Sequence, residues 1–220
     1  MTTETIVDPR KFSAGASGLS RRERRKLEVQ NKICQAAISL FESQGTEPTT
    51  VEEICELADV ARKTFYNYYP SKQDLIRVLC DMQLFSRTEE LLQSVLDQGL
   101  GTAESLRLYL SQAQEDLAHY GAIDRLLIRE AMLDASPNSR ASQHFAQLVV
   151  GFTELVTRGQ AKGDVKDDYS PAFYAEVILS TINGMLTAWM SHDGYPINQR
   201  LDDLTEFLIN SICKKRKSKG

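Results

Sequence analysis

Residues 50–72 read TVEEICELADVARKTFYNYYPSK. The run begins with a capping box, because the Thr50 hydroxyl can accept a hydrogen bond from the third amide of a helix while Glu53 reaches back to the Thr50 amide. A short helix follows, Asp59 marks a turn, and a second short helix continues up to Pro70, where the pattern breaks. Two short helices joined by a tight turn predict a helix-turn-helix unit.

Helical periodicity extends on both sides of this unit. A first helix is expected from about Arg22 to Gly45, and Ser71 caps a long helix that ends before Gly99. Five further helices are expected at roughly residues 102–119, 123–133, 145–156, 170–191 and 201–212. No alternating polar and apolar run with hairpin turns interrupts them. The sequence therefore predicts an all-α fold of about nine helices, with a three-helix N-terminal unit and a larger helical part after it.

Composition narrows the class of protein. The chain has 220 residues, of which 42% are hydrophobic and 25% charged, as in an average soluble domain. The absence of a signal-peptide pattern and of a convincing membrane span predicts a cytoplasmic protein. Four widely spaced cysteines without a C-x-x-C pair predict reduced thiols. Because the three histidines are scattered and catalytic or nucleotide-binding motifs are missing, we expect neither an enzyme nor a bound cofactor or metal.

Charge is distributed unevenly along a chain of net charge −4. Residues 10–26 contain seven basic residues and one acidic residue, whereas residues 81–213 contain nine basic and nineteen acidic residues. Residues 214–220 contain five basic residues and no acidic one. The basic N-terminal part favours a nucleic-acid partner, although a solvated basic tail would have the same composition.

Residues 33–79 resemble the DNA-binding domain of tetracycline-repressor (TetR) family regulators. The matching residues stand in register and are Ala36-Ala37-Ile38-Ser39-Leu40-Phe41, Gly45, Thr49-Thr50-Val51, Ile54-Cys55, Asp59-Val60, Thr64-Phe65-Tyr66, Tyr69-Pro70 and Ser71-Lys72. Asp59 replaces the usual turn glycine, and the turn can survive because Asp tolerates a left-handed conformation. Together with the composition of the two ends, the resemblance implies four segments. They are a disordered basic arm (1–20), a helix-turn-helix DNA-binding domain (21–70), a ligand-binding and dimerisation domain (71–213) and a basic tail (214–220).

The resemblance implies that the second helix of the motif lies in the major groove of double-stranded DNA. The expected DNA-binding residues are Thr50, Arg62, Lys63, Thr64, Tyr66, Asn67, Tyr68 and Lys72, together with Arg24 and Arg25. Among them, Arg62 and Lys63 are expected to read bases, while Lys72 and the hydroxyl groups of the helix bind phosphates. Phe65 and Tyr69 are expected in the core.

Two roles stay open. Glu52 could accept a hydrogen bond from a cytosine amine or favour the dipole of its own helix, and we prefer the dipole because glutamate is common in a first turn. The basic residues 21–26, taken to precede the first helix, could lay arginines into a minor groove or add affinity without sequence preference.

The remainder of the chain is expected to sense a ligand and to dimerise. The resemblance implies that the last two helices pair with those of a second copy, and apolar residues do cover most of the helix at 170–191. The expected interface residues are Val177, Ile178, Thr181, Met185, Trp189, Leu204 and Leu208. A cavity for a small hydrophobic or amphipathic effector is expected among the middle helices. Its expected lining residues are Met82, Phe85, Tyr109, Phe145 and Phe152. Plain intramolecular core is the alternative for both sets.

These features predict a sequence-specific transcriptional regulator. The leading hypothesis is a ligand-responsive repressor that binds a palindromic operator as a homodimer and is released by its effector. The alternatives are an activator of the same fold, or a protein- or ligand-binding module that lacks specific DNA binding. The intact Thr64, Tyr66 and Lys72 argue against the last of these.

Overall fold

The computed structural model describes residues 20–132, 139–192 and 194–214. Residues 1–19 of the expected arm and 215–220 of the expected tail lie outside this part. Within these ranges the chain forms ten α-helices: α1 (Arg21–Gln44), α2 (Val51–Ala58), α3 (Arg62–Tyr68), α4 (Lys72–Cys80), α5 (Ser86–Asp97), α6 (Thr102–Ala118), α7 (Ala122–Met132), α8 (Arg140–Lys162), α9 (Pro171–Ser191) and α10 (Ile197–Ile212). The all-α prediction is confirmed. No helix in the described ranges is long and apolar enough to cross a membrane.

Helix ends follow the signals in the sequence. Ser170 caps α9 by accepting a hydrogen bond from the Phe173 amide, and Pro171 occupies the first turn, where its missing N–H costs nothing. At the other end of the preceding helix, Gly163 adopts a left-handed conformation with φ 79° and stops α8.

The long helix expected between Ser71 and Gly99 is interrupted, which corrects that prediction. A π-helical segment, Asp81–Phe85, separates α4 from α5. A π turn holds one extra residue, so the side chains after it are rotated relative to an uninterrupted α-helix. Apolar periodicity alone missed the segment because the pattern remains helical on both sides of it.

The chain forms two compact units. Of the described residues, the first unit contains α1–α4 and α7 (20–84 and 119–132), and the second contains α5, α6 and α8–α10 (85–118, 139–192 and 194–214). We expected the domain boundary after residue 70. In the structure α4 packs against α7 inside the first unit and buries Leu75 and Leu79, so this compact unit extends beyond residue 70, while the assignment of DNA binding to residues 21–70 stays a prediction.

The core of the second unit lies between α8 and its neighbours. Helix α8 packs against α5 and α9, while α10 packs against α6 and α9. The fully buried Phe152 of α8 meets the ring of Tyr109 edge-to-face, with centroids 5.1 Å apart. This contact links α8 to α6.

A short backbone strap closes the end of the second unit. Val165 and Cys213 form an isolated antiparallel β-bridge. On either side of it, the Lys166 amide donates to the Ile212 carbonyl at 2.9 Å and the Lys214 amide donates to the Asp164 carbonyl at 2.8 Å. The end of α10 is therefore fixed beside the connection between α8 and α9.

Candidate nucleic-acid interface

The turn between α2 and α3 has the geometry that its sequence predicts. The Thr50 hydroxyl accepts from the Glu53 amide at 3.2 Å, and the Glu53 carboxylate accepts from the Thr50 amide at 2.7 Å, which confirms the capping box. Asp59 ends α2 in the left-handed region, with φ 53° and ψ 52°. Asp adopts this conformation more readily than most residues, so the turn forms without glycine.

Helix α3 presents one side to solvent and buries the other. Arg62, Lys63, Tyr66 and Asn67 are exposed, and we call these four residues the reading face. Phe65 on the opposite side is fully buried. Since residues i, i+1, i+4 and i+5 share one side of a helix, the reading face is continuous. Thr64 and Tyr68 are half-buried at its edges.

Buried aromatic residues at the end of α3 hold this helix against α1. Tyr69 is 3% exposed, and its ring lies 5.7 Å from that of Phe65, so both are core residues as predicted. The Tyr69 hydroxyl and the Cys34 thiol of α1 form a hydrogen bond of 3.4 Å. Burial raises the pKa of Cys34 to about 11, which keeps this sulfur a neutral thiol.

Glu52 lies next to the reading face. Its carboxylate forms an ion pair of 2.5 Å with the Arg62 guanidinium. A hydrogen bond with Tyr66 and the charge of Glu52 raise the pKa of Arg62. Neither interpretation of Glu52 from the sequence included this partner, because the pair depends on the angle at which α3 leaves the turn.

Lys72 stands where a phosphate contact is expected from the sequence, but its contacts are within the chain. The Lys72 ammonium donates to the carbonyl oxygens of Thr46 and Thr49, both at 2.6 Å, and to that of Glu47 at 3.2 Å. These carbonyls belong to the loop between α1 and α2. The sequence contains no local signal for this arrangement, since the partners lie 23 to 26 residues away.

The basic segment 21–26 lies within α1, which confirms the expected helix start near Arg22 and corrects the view that this segment precedes the helix. Ser20 caps α1 with a capping box that includes Glu23, and hydrogen bonds with Ser20 lower the pKa of Glu23. All six residues are exposed. Arg24 and Arg25 line a cleft of about 670 Å³ whose other side includes Asp59 and Val60 of the helix-turn-helix. Helical backbone presents these arginines as a charged surface and not as an extended arm.

Comparison with known proteins identifies the family. The family model described as bacterial regulatory proteins, tetR family, matches residues 33–79. The HTH-type transcriptional regulator YvkB of Bacillus subtilis (strain 168), itself uncharacterized, is 30% identical over 160 residues, which cover 71% of this chain and 80% of that protein. The chain belongs to the TetR family. The resemblance inferred from the sequence is thereby confirmed, and this TetR-family protein is a DNA-binding transcriptional regulator.

Other relatives match the TetR-family protein along most of its length. The fatty acid metabolism regulator protein of Bacillus subtilis (strain 168) is 22% identical over 192 residues, covering 84% of this chain and 95% of that protein. The solved structure of Thermus thermophilus FadR, a TetR-family repressor in complex with lauroyl-CoA, is 24% identical with a TM-score of 0.62. That match covers 87% of this chain and 98% of the other. The fold therefore extends through both compact units.

The five residues expected to line an effector cavity are distributed between the two units of the TetR-family protein. Met82 belongs to the first unit, and the other four belong to the second. Phe85 is buried, and its ring stacks on that of His144 with centroids 4.5 Å apart. Tyr109 and Phe152 are buried against each other, whereas Phe145 is half-buried. Within the second unit these residues thus make two separate ring contacts, one around Phe85 and one around Phe152.

A polar cluster adjoins Phe85 in the second unit. The Glu89 carboxylate lies 3.0 Å from the Arg140 guanidinium and 2.8 Å from Nδ1 of His144. Burial opposes its charge, but the hydrogen bonds with Arg140 and His144 together hold the pKa of Glu89 below its ordinary value. The other ring nitrogen of His144 lies 3.2 Å from the Thr88 hydroxyl. The cluster ties α5 to the start of α8 through charge and hydrogen bonds.

The predicted interface residues divide into a buried and a partly exposed group. Four of them lie in the chain's own core: Ile178, Trp189, Leu204 and Leu208. Their burial within one chain fits the alternative of plain intramolecular core, and their predicted contact with a second copy stays a prediction. Val177, Thr181 and Met185 are half-buried. Two large side chains on these helices are exposed: Phe173 (47% exposed), one of the apolar residues already expected to cover α9, and Phe207 (62% exposed) on α10, which was not expected from the sequence.

Proposed function

We propose that this TetR-family protein is a repressor that binds a palindromic operator as a homodimer and is released by a hydrophobic or amphipathic small molecule. The observation that carries the proposal is the reading face of α3. It combines an arginine, a lysine, a tyrosine and an asparagine on one exposed side of a short helix that buried aromatic residues hold in place.

These side chains are suited to base edges and phosphates. Arginine binds guanine and asparagine binds adenine through paired hydrogen bonds in the major groove, while a tyrosine hydroxyl bonds phosphate oxygens. Arg62 and Asn67 supply the first two groups and Tyr66 the third. The exposed basic residues at the start of α1, including Arg24 and Arg25, add attraction for the DNA backbone that depends on salt and not on sequence.

A homodimer follows from the exposed apolar residues of α9 and α10. Phe173 and Phe207 expose large aromatic surfaces, and Val177 and Thr181 lie on the incompletely buried side of α9. Exposed aromatic side chains on adjacent helices are typical of an interface. A two-fold dimer would carry two reading faces, which explains the expectation of a palindromic operator.

The effector is proposed to bind in the second unit, among the buried apolar residues that include Phe85 and Phe152. The regulators named for fatty-acid metabolism and the lauroyl-CoA complex make acyl chains the first class to test. Effector binding that changes operator affinity by roughly 5–150-fold corresponds to a coupling of about 1–3 kcal/mol.

Selection of bound duplexes from a random DNA pool tests the DNA-binding proposal. Full-length protein at near-physiological salt should enrich a palindrome. The double variant Arg62→Ala/Lys63→Ala should lose the enrichment, while Lys162→Ala, which removes an exposed charge from the second unit, should retain it. Salt-sensitive binding without an enriched sequence would contradict specific operator recognition.

The selected operator then tests release. Lauroyl-CoA, free fatty acids and small aromatic hydrophobes are titrated into the protein–operator complex, with coenzyme A alone as the control. Loss of binding with an acyl compound, but not with coenzyme A, supports an acyl effector. If no compound in this panel changes operator affinity, the proposed effector class is wrong, while the DNA-binding proposal is unaffected.

A further inference from the structure

Lys72 is the first residue of α4, and its ammonium group lies among three carbonyl oxygens of the α1–α2 loop. An ammonium group has three N–H donors and no acceptor. The carbonyls of Thr46, Glu47 and Thr49 therefore match its entire donor capacity. Two of the three distances are 2.6 Å, which is short for an N–H···O hydrogen bond and is typical of a charged donor.

The loop that Lys72 binds contains buried polar groups that need partners. Thr46 is 6% exposed and Thr49 is 1% exposed. The Thr49 hydroxyl donates to the Gly45 carbonyl at 2.6 Å and accepts from the Gln44 side chain at 3.2 Å. The three carbonyls that Lys72 binds lie beyond the end of α1 at Gln44, so the ammonium acts on the loop itself by satisfying its backbone acceptors.

The same loop leads directly into α2. Thr50, the residue after the last carbonyl of the cluster, is the N-cap of α2, and α2 packs against α3. Ser71, the residue before Lys72, caps α4 by accepting from the Asp74 amide at 3.1 Å. The contact between Lys72 and the loop thus joins the beginning of α2 to the beginning of α4. The helix-turn-helix, α2 and α3, is the stretch of sequence between these two points.

We propose that Lys72 acts on DNA binding as a positioning residue and not as a phosphate ligand. It holds the start of α2, and through α2 the reading face of α3, at a fixed orientation relative to α4. This inference rests on the proposed operator binding. A direct phosphate contact would require the ammonium to leave at least one carbonyl of a part-buried loop, whereas Arg24 and Arg25 at the start of α1 are already exposed.

The salt dependence of operator affinity separates the two roles. Each phosphate contact contributes about 0.9 to the slope of log affinity against log salt concentration. The full-length variant Lys72→Met should bind the selected operator on the order of tenfold more weakly, comparable to the loss of one base contact, with an unchanged slope. A slope reduced by about 0.9 per chain would show a lost phosphate contact and overturn the proposal. The variant Arg25→Met calibrates the slope change for an exposed basic residue that is proposed to attract the DNA backbone.

The variant Lys72→Arg provides a second test. Arginine binds phosphate at least as well as lysine, but its planar fork cannot direct its donors at three carbonyls around a single atom. We expect Lys72→Arg to bind the operator nearly as weakly as Lys72→Met. If Lys72→Arg binds the operator with wild-type affinity and a wild-type salt-dependence slope, the side chain acts as a phosphate ligand and the positioning role is wrong.

Hydrogen exchange tests the contact without DNA. In full-length Lys72→Met, the amides of Thr50 and Glu53 should exchange faster than in the wild type, while those of α9 are unchanged. Unchanged exchange at Thr50 and Glu53 would overturn the proposal whatever the DNA results are. If the wild type selects no operator, operator binding itself fails and the exchange experiment still decides whether Lys72 positions the loop.

Discussion

Gly159 offers a sharp test of the packing in the second unit. It lies on α8, and a Cβ atom added there would stand 2.5 Å from Cγ2 of Val165 and 2.9 Å from Oδ1 of Asp164, and closer still to the Thr102 hydroxyl. The Asp164 carboxylate also accepts from the Thr102 amide at 3.2 Å, at the first residue of α6. We therefore expect Gly159→Ala to disturb α8, the start of α6 and the strap residues together.

The change in the free energy of unfolding caused by Gly159→Ala is the difference between two opposing effects. Alanine in place of glycine within a helix gains about 1 kcal/mol of helix propensity. Overpacking costs about 1–3 kcal/mol, and the upper end applies because Val165 and Thr102 are β-branched and cannot easily rotate away. The net expectation is a loss of about 1–2 kcal/mol in the free energy of unfolding. In a chain of this size that lowers Tm by about 2–8 °C.

Urea denaturation of the full-length protein, followed by far-UV circular dichroism, measures this loss. The matched control is Gly184→Ala on α9, where no atom lies within 4 Å of the added Cβ. It should leave stability unchanged or raise it by up to about 1 kcal/mol. A Gly159→Ala midpoint equal to or above the wild-type midpoint would refute the reasoning, since it would mean that Thr102, Val165 and Asp164 are not where the structure places them.

Three further predictions concern charge and association. Burial raises the pKa of Asp124, so the ionised carboxylate destabilises the folded protein as the pH rises above about 4. Asp124→Asn removes this charge and should therefore raise the free energy of unfolding near pH 7. The free energy of unfolding of the variant should also fall less steeply with rising pH than that of the wild type. Urea titrations between pH 4 and 8 measure it, and identical profiles for the two proteins would contradict it. Glu52→Gln should tighten operator binding, because it removes a negative charge next to the reading face and breaks the ion pair with Arg62. A fluorescence anisotropy titration with the selected operator measures this affinity. Weaker binding by the variant would contradict the prediction and indicate that Glu52 itself contributes to DNA binding. Phe207→Glu should weaken the proposed dimer by about tenfold or more, as for a central aromatic residue, and sedimentation that shows an unchanged dimer would exclude Phe207 from the interface.

Local signals accounted for most of the helix-turn-helix. Capping boxes and turn residues act within a few positions of the chain, so the start of α2 at Thr50 and the left-handed Asp59 were predictable from sequence alone. The burial of Phe65 and the exposure of Lys63 likewise follow from helical periodicity once the helix is located. The family resemblance rested on the same residues and was confirmed by the comparisons.

Features that depend on distant residues were not predictable. The contacts of Lys72 and the ion pair between Glu52 and Arg62 require knowledge of how helices are oriented. On α9, apolar residues occupy nearly all sides, so periodicity could not separate the buried Ile178 from the exposed Phe173. The π-helical segment carries no glycine or proline signal, and its extra residue becomes visible only in the backbone.

The strap between Val165 and Cys213 changes how α9 and α10 can unfold. It joins residues at the two ends of this helical pair, so the pair forms a closed loop and not an open tail. Peeling α10 away must first break the bridge and its flanking hydrogen bonds, after which α9 loses its neighbour as well. The two helices should therefore open as one cooperative segment in hydrogen exchange. If the proposed dimer forms, each separated chain would keep this surface preformed, and association would proceed by docking without refolding.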